Sequence, residues 1–308
     1  MPRRANATSF ARTGMKHVGA DALVRPGSKR RSSGDNVRRG SLDLLDEAPG
    51  AARSWTGRRP HKHMSSVTTV AMVAAVEREV RPLLKRARKV DREYEGRRFK
   101  FFESGESVLV CGGIGAEAAR RATEAVIALY QPELVQSVGF AGALNPALNV
   151  GQIFSPCRVI DARDGSSLEI TGGGGVLVSA FGVAGVDQKA MLAKCYGAQA
   201  VDMEAAAVAR GAQARNVPFM AVKVISDESG FAMPPMDRFV DQQGQFRTAR
   251  FVMFAGLRPW IWLRVIRLAG NSAKASRALC VELERLILEP KKLEGTRPSL
   301  HPVTKVVS

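Results

Sequence analysis

Histidine is missing from the whole middle of this 308-residue chain: the four that occur, His17, His61, His63 and His301, all lie near its ends. Ser-His-Asp hydrolysis, Cys-His catalysis and ordinary zinc sites each need an imidazole beside the chemistry. A catalytic core in the middle must therefore work through carboxylates, and no metal is expected there. Cysteine is scarce too. Cys111, Cys157, Cys195 and Cys280 lie far apart and form no CxxC pair, so they read as reduced, mostly buried thiols.

Long apolar runs are also lacking. Phe251 to Leu268 comes nearest, but Arg258, Pro259, Arg264 and Arg267 interrupt it, and it is no clean transmembrane span. Its mixture of Trp260, Trp262, leucines and arginines suits an interfacial helix lying on an anionic bilayer, with a helix docked on the enzyme core as the alternative. The Gly112-Gly113-Ile114-Gly115 turn has neither the full GxGxxG spacing nor a Walker lysine. No nicotinamide or P-loop fingerprint accompanies it, and no cofactor is expected.

Positive charge, by contrast, is plentiful: the formal net charge is +17. The stretch from Met64 to about Gln245 is close to neutral, whereas each end carries a surplus of about eight or nine positive charges. Basic ends without interleaved aromatics give a salt-dependent, non-specific footprint, so no specific nucleic-acid partner is expected. Residues 1–63, rich in Arg, Ser, Gly and Pro, lack a hydrophobic period and predict a disordered segment. Such a start imitates a transit peptide, against which stands the acidic patch Asp43 to Glu47. A chain starting at Met64 would lose nothing the core needs, so a misplaced start is another reading. The expected division is 1–63, a catalytic domain over 64–245, a C-terminal helical extension over 246–289 and a loose tail over 290–308.

Within the neutral middle, strands alternate with helices. Val67 to Val76 reads as a buried strand, followed by a charged helical stretch, Glu77 to Lys89. Phe99 to Glu103 and Ser107 to Cys111 form a strand pair turning at Gly105, and the glycine turn at 112–115 opens the amphipathic helix Ala116 to Tyr130. Further strands are expected at Leu134 to Phe140, Gln152 to Ile160, Gly175 to Ala180 and Phe219 to Ile225, with helices at Val186 to Tyr196, Met203 to Arg215 and Asn271 to Leu288. This order implies an α/β sheet covered on both faces, with ligands gathering beyond the carboxyl ends of its strands.

Three stretches place acids at those strand edges: Glu77-Arg78-Glu79, Asp202-Met203-Glu204 and Asp227-Glu228. Any one of them is explained by the preference for Asp and Glu in the first turn of a helix. Three together point to a site.

Val201-Asp202-Met203-Glu204-Ala205-Ala206-Ala207 and Asn216-Val217-Pro218-Phe219, leading into Lys223-Val224-Ile225-Ser226-Asp227, resemble the "MEA…NVPF…ISD" signature of the nucleoside phosphorylase superfamily. Within it they are most similar to the 5′-methylthioadenosine/S-adenosylhomocysteine nucleosidases. The likeness runs with gaps from about Val67 to Asp227 and includes the turns at Gly113-Ile114-Gly115 and Gly139-Phe140-Ala141-Gly142. It implies a three-layer α/β fold with a central mixed sheet flanked by helices. It also implies a purine nucleoside substrate and a cytoplasmic homodimer or larger homo-oligomer.

The resemblance implies roles as well. Glu79 resembles the carboxylate that orients and deprotonates the attacking water. Met203 and Glu204 resemble the ribose-binding pair. Asp227, supported by Ser226, resembles the acid that protonates the purine at N7. The chemistry is coherent, because protonation helps a poor purine leaving group and carboxylates stabilise an oxocarbenium-like sugar. An Asp227 that keeps a proton near neutrality needs a raised pKa.

There are departures from the family pattern. Lys223 stands where those nucleosidases usually have Arg, so its contacts near ribose or water are expected to differ, and Asp202 stands where an additional Glu is common. Phe140 replaces a usual hydroxyl, against a well-formed phosphate pocket. The region between Ile160 and Ser179 is shortened and Gly-rich, so no purine-recognising residue carries across it. Phe181 is a candidate base-stacking residue, with an ordinary core Phe as the alternative. The short middle, Lys223 and the aromatic, arginine-rich C-terminal part also resemble the bacterial hopanoid-associated phosphorylase group. That likeness implies adenosylhopane, a lipid-linked adenosine, and a peripheral site on the inner membrane face.

Hydrolytic cleavage of an adenine nucleoside is the leading expectation. Phosphate-dependent cleavage is the alternative, and a catalytically silent nucleoside-binding protein the second. Glu79 favours water, since a carboxylate at the attack position repels a phosphate dianion. Arg78, Arg120 and Arg121 keep the phosphorylase reading open.

Overall fold

A computed structural model describes residues 70–288. The segment 1–63, the tail 290–308 and all four histidines lie outside the described residues. The chain runs through β1 (Val70–Ala74), the one-turn α1 (Arg81–Leu84), β2 (Arg88–Tyr94), β3 (Arg97–Ser104), β4 (Ser107–Cys111) and α2 (Ala116–Tyr130). It continues with β5 (Leu134–Ala143), β6 (Ile153–Phe154), β7 (Arg158–Asp161), β8 (Ser167–Glu169), β9 (Val176–Ser179) and α3 (Val186–Tyr196). β10 (Ala200–Asp202), α4 (Ala205–Gln213), β11 (Phe219–Asp227), α5 (Thr248–Gly256) and α6 (Trp262–Leu288) complete it.

The strands form one mixed sheet in the order β2-β3-β4-β1-β5-β10-β9-β7-β8, with β11 on β5 and β6 on β11. β1 is buried along most of its length because parallel neighbours, β4 and β5, flank it and helices cover the sheet. β11 follows one edge of β5 in parallel from Val135 to Gly142. The other edge is shared. β1 takes Leu134 to Ser137, and the antiparallel β10 takes Gly142 and Ala143. Between them the sheet forks at residues 138–141, and this fork positions the site.

Helices close both faces. α2 and α4 supply alanines and valines to one core around Val73, Phe101 and Val135. On the other face, Ala275, Leu279 and Leu283 of α6 pack against Met72, Leu109, Val222 and Val224. Leu279 and Leu283 are wholly buried, and each such side chain stabilises the fold by about 1.5–3 kcal/mol.

The expected α/β fold with a mixed sheet between helical layers is what forms. Helices 116–130 and 186–196 begin and end where the sequence predicts. The charged stretch 77–89 does not form the expected helix. It makes a turn and one helical turn containing Pro82, then enters β2, a polar edge strand held to β3 by a tight turn with positive φ at Glu95 and Gly96. The strand expected over 152–160 is divided into β6 and β7, with Pro156, which has no amide hydrogen to give a ladder, between them. The 251–268 run is divided among α5, a 3-10 turn at Pro259–Ile261 and the start of α6. Of the four free thiols only Cys280 is fully buried, and Cys195 is exposed.

Candidate active site

A cavity of about 480 Å³ opens at the fork, beyond the carboxyl ends of β1, β5, β10 and β11. Glu79, Glu204 and Asp227 all line it, together with Phe140, Met203 and Ser226. The sequence separates these carboxylates widely; the strand ends bring them together.

Glu79 sits in the turn after β1, tied by its backbone N–H to the carbonyl of Val76 at 3.1 Å. Its side chain is buried, and burial raises its pKa, partly offset by the positive charges of Lys223 and Arg78 and by the backbone amides of Val76 and Phe140. Gly139 makes room for it. At φ +145°, this residue has no Cβ, and one placed there would lie 2.9 Å from Glu79 Oε2.

Glu204 stands at the start of α4. Its Oε1 accepts the backbone N–H of Gly115 at 2.8 Å, which ties it to the glycine turn before α2. Burial, then the neighbouring charge of Asp202, raises its pKa to about 7, while Lys223 pulls the other way. Asp202 itself points away from a ligand role. Its Oδ2 accepts the Ala205 N–H at 2.9 Å, and its Oδ1 accepts the Ser179 hydroxyl at 2.5 Å. It thus closes the start of α4.

Asp227 ends β11, where a register shift between Ile225 and Asp227 leaves Ser226 outside the ladder. The Ser226 hydroxyl donates to Asp227 Oδ1 at 2.7 Å. Asp227 Oδ2 is paired with the ammonium of Lys189, a residue of α3 that also lines the cavity.

A larger concavity of about 600 Å³ adjoins this cavity at Ala75 and Val76, lined on its far side by Arg97, Arg98, Lys100 and Arg121. Its one carboxylate, Glu77, is held by Lys100 at 2.7 Å. The grouping of acids suited to bond cleavage belongs to the smaller cavity. Among the described residues, no cluster of three or more His, Cys, Asp or Glu side chains is placed to hold a metal ion.

The phosphorylase superfamily model matches residues 69–185 and 176–252. The chain belongs to the phosphorylase superfamily. The 5′-methylthioadenosine/S-adenosylhomocysteine nucleosidase of Staphylococcus aureus (strain MRSA252) is 26% identical over 212 residues, covering 56% of this chain and 92% of the relative. Two Helicobacter pylori structures share the fold. Its 5′-methylthioadenosine/S-adenosyl homocysteine nucleosidase has a TM-score of 0.55 at 18% identity, covering 73% of this chain and 99% of that one. Its futalosine hydrolase has a TM-score of 0.55 at 18% identity, covering 72% and 98%.

In this phosphorylase-superfamily chain, five of the seven residues singled out from the sequence, Glu79, Met203, Glu204, Ser226 and Asp227, line one cavity. Two do not. Lys223 lies beneath the cavity, 1% exposed, paired with Asp202 and donating to Ser137 Oγ at 3.0 Å. Burial works against its ammonium, yet Asp202, Glu204 and Glu79 together hold its pKa above the ordinary lysine value. Phe181 is 77% exposed and outside the lining, because the chain turns outward after β9 before Gly182 and Ala184 come back to the cavity wall. The ring is not a core Phe, and it stands outside the cavity wall. Lys189 was the residue missed. A lysine in an amphipathic helix reads as surface charge, although its position three residues before the buried Leu192 sets it on the inward face.

Proposed function

We propose that this chain hydrolyses the N-glycosidic bond of an adenine nucleoside. Glu79 draws a proton from the attacking water, Met203 and Glu204 bind the ribose, and the departing purine is protonated at the Asp227–Ser226 end. The observation that carries this reading is the gathering of Glu79, Glu204 and Asp227 around one cavity. A carboxylate whose pKa is raised by burial, as that of Glu79 is, accepts a proton more readily than an ordinary one. Water fits better than phosphate, since grouped carboxylates repel a dianion, and Arg78, the arginine of the lining, stacks over Phe246 at 5.3 Å. The relatives named above as nucleosidases support the same chemistry. Incubation with adenosine and methylthioadenosine, with and without phosphate, followed by chromatography, tests it. Adenine and free sugar without phosphate are expected. Sugar 1-phosphate would make the chain a phosphorylase, and no adenine from any nucleoside a silent binder.

The cavity mouth favours a second, finer reading. Val252 and Val265 line it, and around them Met253, Leu257, Trp260, Leu263 and Ile266 are exposed, with no acidic residue from Arg247 to Lys274. Among the described residues no helix is long and apolar enough to cross a membrane. Such a face suits peripheral contact with an anionic bilayer and a nucleoside carrying an apolar 5′ substituent, as the likeness to the hopanoid-associated group implies. Such an enzyme is cytoplasmic, on the inner membrane face, and acts as a homo-oligomer. Co-sedimentation with vesicles containing anionic lipid, but not with neutral ones, is the expected result. Sedimentation with neither kind, together with a concentration-dependent dimer in solution, would give this face to a second copy.

A further inference from the structure

We propose that the proton passed to the departing base comes from Lys189, with Asp227 as the anchor that holds it. The proposal rests on the hydrolase reading above and names the group that completes it.

Lys189 is 2% exposed, an unusual place for a lysine. Its ammonium pairs with Asp227 Oδ2 and donates to the carbonyl of Glu228 at 2.7 Å. Two of its three N–H bonds are thereby committed, and the third is left for the cavity that Lys189 lines. Asp227 is committed as well. Its Oδ2 meets the ammonium and its Oδ1 lies 2.7 Å from the Ser226 hydroxyl, so the carboxyl is fixed on both sides and holds Lys189 in place. The pair also depends on the glycine turn of β5. A Cβ at Gly142 would lie 3.0 Å from Asp227 Oδ2 and 3.4 Å from Lys189 Nζ, so a bare backbone there lets the ion pair rest against the strand.

The step balances as follows. The bond from C1′ to the purine breaks, its electron pair stays with the base, and an N–H bond of Lys189 breaks as N7 gains that proton. Water oxygen bonds to C1′ while Glu79 takes the water proton. Glu79 then returns a proton to solvent and Lys189 regains one, leaving free adenine and the sugar.

The test compares Lys189→Met and Lys189→Arg with the wild type on two substrates: adenosine, and p-nitrophenyl riboside, whose leaving group departs without protonation. In both variants adenosine turnover is expected to fall by about 10²–10⁴-fold, while release of nitrophenol stays within a few-fold of the wild type. Lys189→Arg keeps the charge and the ion pair but yields a proton poorly, so it carries the test even if the methionine variant does not fold. Parallel loss on both substrates in the arginine variant would make Lys189 a structural residue and overturn the proposal. Adenosine turnover retained or raised on removing the ammonium would return the acid role to Asp227. Failure of the hydrolase reading itself looks different: the wild type would then cleave neither substrate.

Discussion

Lys223 Nζ lies 2.8 Å from Asp202 Oδ2, and neither side chain reaches solvent. The two come from β11 and β10, which flank β5 on opposite edges, and meet beneath the carboxylates of the cavity. Asp202 also closes α4, so the pair joins the helix that presents Glu204 to the strand that presents Asp227. Replacing Lys223 with Met leaves a buried carboxylate uncompensated. Loss of about 3–5 kcal/mol of stability is expected, measured by urea unfolding, and a loss under about 1 kcal/mol would mean that the pair is dispensable.

Glu204 makes stability depend on pH in a stated direction. Its carboxyl is raised from 4.5 to about 7 by burial and by the charge of Asp202, so the folded chain holds this proton more tightly than the unfolded one. Its contribution is fully present below pH 4.5 and is lost as pH rises through about 7. Thermal unfolding followed across that window should show a decline in the wild type and a flatter profile in Glu204→Gln. An unchanged slope in the variant would count against the assignment.

Glu79→Gln should lose about 10²–10⁴-fold in kcat on an adenine nucleoside, the usual contribution of a general base. The melting temperature should not fall, since an amide of the same shape replaces a carboxyl for which burial disfavours the charge. Near-normal turnover in this variant would remove Glu79 from the water-activating role.

Gly139→Ala tests the space beside Glu79. The new Cβ would meet Oε2 at 2.9 Å on a backbone at φ +145°, a conformation that costs an L-residue of order 1–3 kcal/mol. Both stability and kcat should drop, read by unfolding and by initial rates. A variant equal to the wild type would show that Glu79 has freedom to move.

Phe181→Ala should leave KM for an adenine nucleoside unchanged, because the ring is exposed and outside the cavity wall. A rise of tenfold or more in KM would restore the base-stacking role the sequence suggests.

The sequence by itself determined the class of chemistry and the parts that carry it. The absence of histidine from the middle left carboxylates as the candidate groups, and the apolar runs at 67–76, 134–140 and 219–225 marked the strands that became β1, β5 and β11. Their ends are where Glu79, Gly139 and Asp227 stand, because strands buried on both faces show as continuous β-branched runs and ligand-facing residues follow them. Only the tertiary structure decided how those parts meet. Lys189 reached Asp227 across 38 residues, Lys223 was drawn under the cavity to Asp202, and Phe181 was turned out into solvent. The periodicity of a helix or strand specifies which of its faces is buried. The partner across that face is set by strand order and register, here by the fork where β1 leaves β5 and β10 joins it, and those arise from pairings between distant segments.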